Sequence, residues 1–163
     1  MAIIAANLAF YLTGGAGNTL PAASLGGVIS STAFTDNTLQ NLFANVTPAE
    51  ALAGSVKYRA LSFKNLAAET AYAAVIYLSQ ETTSADTTVA IAYDATGTQS
   101  VVDEDTAPVG LTFSTPLSLG VGIALGDIAA SGVARVWFKR TVSPGAAAAS
   151  DSGKFTVVVG SAP

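Results

Sequence analysis

The chain contains no cysteine and no histidine among its 163 residues. Without thiols there is no disulfide framework, no thiolate nucleophile and no soft metal cage. Without imidazole, the usual proton shuttle near neutral pH and the commonest metal ligand are both missing. Charge is scarce as well: Asp, Glu, Lys and Arg make up 11% of the chain, against roughly 25% in an average soluble domain. Long apolar runs are also lacking. The longest, MAIIAANLAFYL, has 12 residues and is broken by Asn7, short of the roughly 18 that a membrane span needs. No basic residue precedes Lys57, so this opening lacks the basic start of a secretion signal. The expectation is a protein made in a cytoplasm and used without processing, with no membrane partner.

Half of the residues are hydrophobic, and the net charge is −4. A domain of this length buries about two-thirds of the surface its unfolded chain exposes, so a core forms without staples. The acidic balance and the sparse Lys and Arg argue against nucleic acid, whose recognition begins with clustered cations. Low surface charge fits either a small protein coated with Thr and Ser or one whose surface is largely covered by partners.

Residues 1–35 carry no charge; Asp36 is the first. Leu8–Leu12 reads as a strand, TGGAGNTLPAASLGG as an extended, turning stretch, and VISSTAF as a further strand-like piece. Residues 1–35 read either as an ordinary first strand plus a loop or as an uncharged arm with the first strands, and the missing charge favours the arm. Ile3, Ile4, Leu8, Phe10 and Leu12 are its candidate anchors on a neighbouring subunit, by strand addition.

One short helical turn is marked in TPAEALAG: Thr47 as N-cap, Pro48 at the first helical position, Glu50 completing a capping box and Gly54 ending it. Pro48 and that local role of Thr47 leave little weight for glycosylation at Asn45. From Ser55 on, short strands alternate with turns. SVKYRALSFKN, AYAAVIYLS, TTVAIAYD, GLTFS, PLSLGVGI, GVARVWFKRTV and KFTVVVG are rich in β-branched and aromatic residues. Tyr72, Ala74, Ile76 and Leu78 share one face by period two, as do Val89, Ile91 and Tyr93, and Phe155, Val157 and Val159; Val136 and Phe138 lie opposite Trp137. The expected fold is all-β: an antiparallel β-sandwich, jelly-roll or immunoglobulin-like, over residues 36–163.

Candidate chemistry is thin. Asp103, Glu104 and Asp105 form the best cation candidate, but they lack the spaced oxygens and central glycine of a calcium loop and read as a solvated acidic turn. Asp94 and Asp127 have no hydrolase motif around them, and Gly120-Val121-Gly122 has no phosphate-loop context. No G-x-S-x-G elbow occurs. No catalytic residue, metal or cofactor is expected. Basic residues group on two predicted strands, Lys57, Arg59 and Lys64 on one and Arg135, Lys139 and Arg140 on the other. Between Asn65 and Ala134 every charge is acidic. Such sorting produces oppositely charged faces suited to ordered association, or arises by chance.

YLTGGAGNT followed by PAASLGGVISS, then VTPAEALAGSVKYRALSFKN, GDIAASGVARVWFKRTVSPGA and KFTVVVG together resemble small structural proteins of tailed-bacteriophage virions. The likeness is strongest to the decoration, or cement, proteins on the outside of a capsid, and it lies in style over most of the chain. It implies a β-sandwich or jelly roll, commonly a homotrimer, bound to the major capsid protein where its subunits meet. It also implies location on the virion surface after synthesis in the host cytoplasm, and no catalytic residue. Two alternatives accompany this reading. One is a tail, neck or fibre component of the virion. The other is a carbohydrate- or surface-binding sandwich using Trp137, Tyr11, Tyr58, Tyr72, Tyr77 and Tyr93, although Trp137 between Val136 and Phe138 reads as buried in a core or interface.

Overall fold

The β-branched and aromatic segments become strands in a computed structural model, which describes residues 3–36, 38, 40–149 and 151–160. The strands are β1 (Leu8–Thr13), β2 (Ile29–Ala33), β3 (Ser55–Asn65), β4 (Ala71–Gln80), β5 (Thr87–Asp94), β6 (Ile123–Ile128), β7 (Val133–Val142) and β8 (Lys154–Gly160). They form two sheets, a five-stranded one in the order β2-β1-β3-β7-β5 and a three-stranded one in the order β6-β4-β8. Every pairing is antiparallel. The sequence leaves strand order open between two sandwich types; the observed division is five strands plus three.

The core lies between the sheets. Leu12, Leu61, Phe63, Ile91, Val136 and Phe138 come from the larger sheet and meet Ala74, Ile76, Leu78, Leu125 and Ile128 of the smaller. Phe155 of β8 closes one side of it, with its ring centroid 4.6 Å from that of Phe138 and 5.0 Å from that of Phe10. A second cluster lies on the opposite face of the larger sheet, where Ala60, Ala92 and Trp137 are covered by Val101, Leu111 and Phe113. Residues 58–63 of β3 and 134–138 of β7 thus lie in a sheet covered on both faces. That accounts for apolar runs such as VWF where a half-exposed strand would alternate.

The helical turn forms as its caps dictate. In α1 (Pro48–Ala53), the Thr47 hydroxyl accepts from the Glu50 N–H at 3.2 Å and the Glu50 carboxylate accepts from the Thr47 N–H at 2.8 Å. Gly54 follows at φ 78°, a conformation that costs a residue with a side chain more than it costs glycine.

Three local expectations change. GLTFS is not a strand: only Ser114 bridges, to Ile91 of β5, and the rest belongs to the long connection 95–122 that covers Trp137. The strand read in PLSLGVGI begins only at Ile123 and continues to Ile128, because Leu119–Val121 form a tight 3₁₀ turn. In β4, the register with both neighbours breaks near Ala73, which stands at φ 46°. This bulge puts Ala71 rather than Tyr72 on the buried face with Ala74, Ile76 and Leu78.

Candidate functional site

The expected arm is part of the sandwich. β1 pairs with β2 on one side and with β3 on the other, Phe10 standing opposite Phe63. A strand with both edges paired has no free edge to lay on a neighbour. Leu12 is 2% exposed, and Ile3, Leu8 and Phe10 pack against the chain's own core. Of the five candidate anchors, only Ile4 is exposed. The reason is energetic: these side chains already bury apolar area within their own chain. An uncharged opening is what an internal strand and its crowded turn require. Met1 and Ala2 lie outside the described residues.

The acidic turn is likewise engaged internally. The connection 95–122 crosses the end of β3, where the Tyr58 N–H donates to the Glu104 carbonyl at 2.7 Å. There the Lys57 ammonium lies 2.9 Å from Glu104 Oε1, 2.9 Å from Asp105 Oδ1 and 3.4 Å from Glu50 Oε1. Arg59 pairs with the other Glu104 oxygen. Bonds to Asp105 and Glu104 raise the Lys57 pKa well above its ordinary value. Burial alone would raise the Glu104 pKa, but the Lys57 bond and the Arg59 charge outweigh it and hold it below the ordinary value. A cation site at this turn is therefore already filled by an ammonium and a guanidinium. Among the described residues, no group of three or more acidic side chains is placed to hold a metal ion.

This clasp also answers the charge sorting along the chain. Lys57 and Arg59 meet Glu104 and Asp105 across more than forty residues of sequence, joining the basic strand to the acidic stretch. Arg140 donates to the Ala44 carbonyl at 2.5 Å and lies over the Phe43 ring, which Arg59 also approaches. Lys64 lies over Tyr11 and Lys139 over Phe113. Lys57, Arg59, Lys64, Lys139 and Arg140 are thus engaged within the molecule, while Lys154 at the start of β8 stands exposed.

A concavity of about 560 Å³ runs between Val28 and Ile29, the turn after β5, and the start of β7. Two buried charged groups border it. The Asp94 carboxylate accepts from Thr96 Oγ1 at 2.6 Å and from the N–H groups of Gly97 and Gln99, each at 2.9 Å. Burial would raise the Asp94 pKa, yet these bonds hold it below the ordinary value. It is a turn-former with its lone pairs occupied, a poor start for a general base. Arg135 donates from Nε to Ser62 Oγ at 3.0 Å and from Nη2 to the Gly27 carbonyl at 2.7 Å. Burial lowers its pKa, with the Asp94 charge acting the other way. Both groups tie loops to the sheet.

The aromatic platform suggested for a surface-binding module loses its main member. Trp137 is 0% exposed beneath the connection 95–122, and Tyr58 packs edge-on to Phe113 with ring centroids 5.5 Å apart. Burial of Trp137 agrees with its flanking residues in the sequence. The clasp and the Asp94–Arg135 border were not legible there, because each joins residues about forty apart or more. No protein-family model, no curated protein and no solved structure matches this chain.

Proposed function

We propose that this chain is a non-enzymatic structural protein of a tailed-phage virion, a decoration protein that stabilises the capsid by binding where major capsid subunits meet. The supporting observation is the character of its surface. The ionic groups of the Glu50–Lys57–Glu104–Arg59 clasp are turned to internal partners, while aliphatic side chains stand in water. Val102 is 87% exposed and Val109 80%, with Leu20, Val28, Leu52 and Val121 each more than half exposed. Single exposed aliphatics are ordinary. A surface that combines many of them with so few free charges favours burial against another protein.

The mechanism is linkage. A protein that binds the assembled shell and not its free subunits stabilises the shell by mass action. Weak individual contacts suffice when many are made at once, and self-association multiplies them. Cryo-electron microscopy of phage particles from the genome that encodes this chain tests the reading. Density for the sandwich on the outer capsid surface is expected. Density confined to the tail, neck or fibres would move the protein to the second virion role, and absence from the particle would overturn both.

A further inference from the structure

Arg135 is 4% exposed, yet only part of its guanidinium is matched. Nε donates to Ser62 Oγ and Nη2 to the Gly27 carbonyl, while Nη1 has no hydrogen-bond partner. Among the described residues Arg135 forms no ion pair. Asp94 stands opposite it in the register of β5 with β7 and acts on it through space. That carboxylate is committed elsewhere, to the Thr96 hydroxyl and to the N–H groups of Thr96, Gly97 and Gln99. A buried charged group with a donor left unmatched is costly, so it asks for an acceptor supplied from outside the chain. Arg59 and Arg140 each leave Nε unmatched too, but Arg59 pairs with Glu104, Arg140 feels the charges of Glu50 and Glu104, and neither lines the concavity beside the β5 turn.

Arg135 does line it, and at about 560 Å³ that concavity is large enough for a small ligand. Val28 and Val133 on its wall are 64% and 44% exposed, and Thr96 and Thr98 are exposed as well, so it opens to water. Tyr93 and Ile29 extend the apolar wall. Nη1 is closed to water, so a ligand meets it by a small turn of the guanidinium toward the concavity. Apolar walls with a few convergent polar groups are the usual composition of a small-ligand site.

We propose that this concavity binds an aliphatic monocarboxylate, its carboxylate on Arg135 Nη1 and its hydrocarbon part against Val28, Tyr93 and Val133. A guanidinium bonds a planar carboxylate more strongly than it bonds a neutral acceptor, because both partners are charged. Asp94 on the border opposes a second negative charge, which disfavours a phosphate dianion. The carboxylate is that of a free acid or of an acidic side chain on a bound polypeptide, and the site is independent of the capsid role.

The test is an NMR titration of isotope-labelled protein at neutral pH and constant ionic strength with isobutyrate, isobutyramide and inorganic phosphate. It is read at the Arg135 Nε–H and at the Gly27 and Gly97 amides. Saturable shifts are expected with isobutyrate, with binding of the amide and of phosphate weaker by about tenfold or more. Val28→Asp, at a position 64% exposed, puts a negative charge on the wall and should weaken isobutyrate about tenfold while the folded spectrum is kept. If that variant loses the folded spectrum, Val133→Asp gives the same readout. An acetylated and amidated Val-Glu-Val peptide separates the two carriers: tighter binding than isobutyrate assigns the carboxylate to a polypeptide, and weaker binding assigns it to a free acid. No saturable shift at Arg135 with isobutyrate, equal binding of the amide or of phosphate, or unchanged binding in the charged variant would each overturn the site.

Discussion

Replacing Glu104 by Gln keeps the size of the side chain and removes the charge that Lys57 and Arg59 share. The Arg59 side chain is 4% exposed and that of Glu104 35%, so the pair is neither buried nor free in water. Removing one member of a fully buried pair costs about 3–5 kcal/mol, while an exposed pair contributes about 0–1. Arg59 keeps its bond to the Tyr58 carbonyl at 3.0 Å, and water reaches the carboxylate. An intermediate loss of about 2 kcal/mol is therefore expected, or about 4–8 °C in Tm for a chain of this size. The pH dependence sharpens the test. The folded pKa of Glu104 lies below its ordinary 4.5, so its contribution is complete above that value and disappears as pH falls through the depressed one. Glu50 and Asp94 are depressed too, but both proteins carry them, so they cancel in the difference. Thermal melts of wild type and variant from neutral to acid pH should show a gap that closes below about pH 4. Equal stability at pH 7, or a gap unchanged in acid, would refute the clasp as a source of stability.

Four further outcomes follow from the same geometry. Gly26→Ala should lower stability by about 3 kcal/mol or more, because Gly26 stands at φ +86° and an added Cβ would overlap the Gln99 carbonyl and come within 2.6 Å of Trp137 Cζ2; a denaturant midpoint near wild type would contradict this. Trp137→Ala removes the centre of the outer cluster and should cost about 3–5 kcal/mol by the same assay. In wild type the emission of this sole tryptophan should be blue-shifted and turn red only in the main unfolding transition, as expected for a side chain 0% exposed. Thr47→Ala breaks the capping box and should cost about 1 kcal/mol, read as faster amide exchange in residues 49–53. Deletion of residues 1–13 removes the strand between β2 and β3, so the remainder should lose its cooperative melt; a folded remainder would show β1 to be dispensable.

Strand positions were legible wherever apolar residues alternate or run together between turn residues. The capping box of α1, the shared face of Val89, Ile91 and Tyr93, and the opposition of Trp137 to Val136 and Phe138 all appear as the residues suggest. Local signals missed what long-range contacts decide. GLTFS has strand composition, but its apolar side chains are used to cover Trp137. Alanine at position 73 gives no hint of a bulge, since the register shift shows only in its pairing with β6 and β8. The uncharged opening suits an exposed arm and an internal strand equally well in sequence. Only the pairing of β1 on both edges separates them. Asp103 and Asp105 are exposed, as the acidic turn suggests; what the sequence does not place beside it is Lys57 and Arg59.

Co-sedimentation of the purified chain with assembled, expanded capsids of the phage proposed to carry it tests the proposed role most directly. The account predicts saturable binding at a fixed ratio to the capsid subunits, together with a higher temperature of shell rupture. Capsids that pellet without the protein, and rupture at the same temperature in its presence, would contradict it.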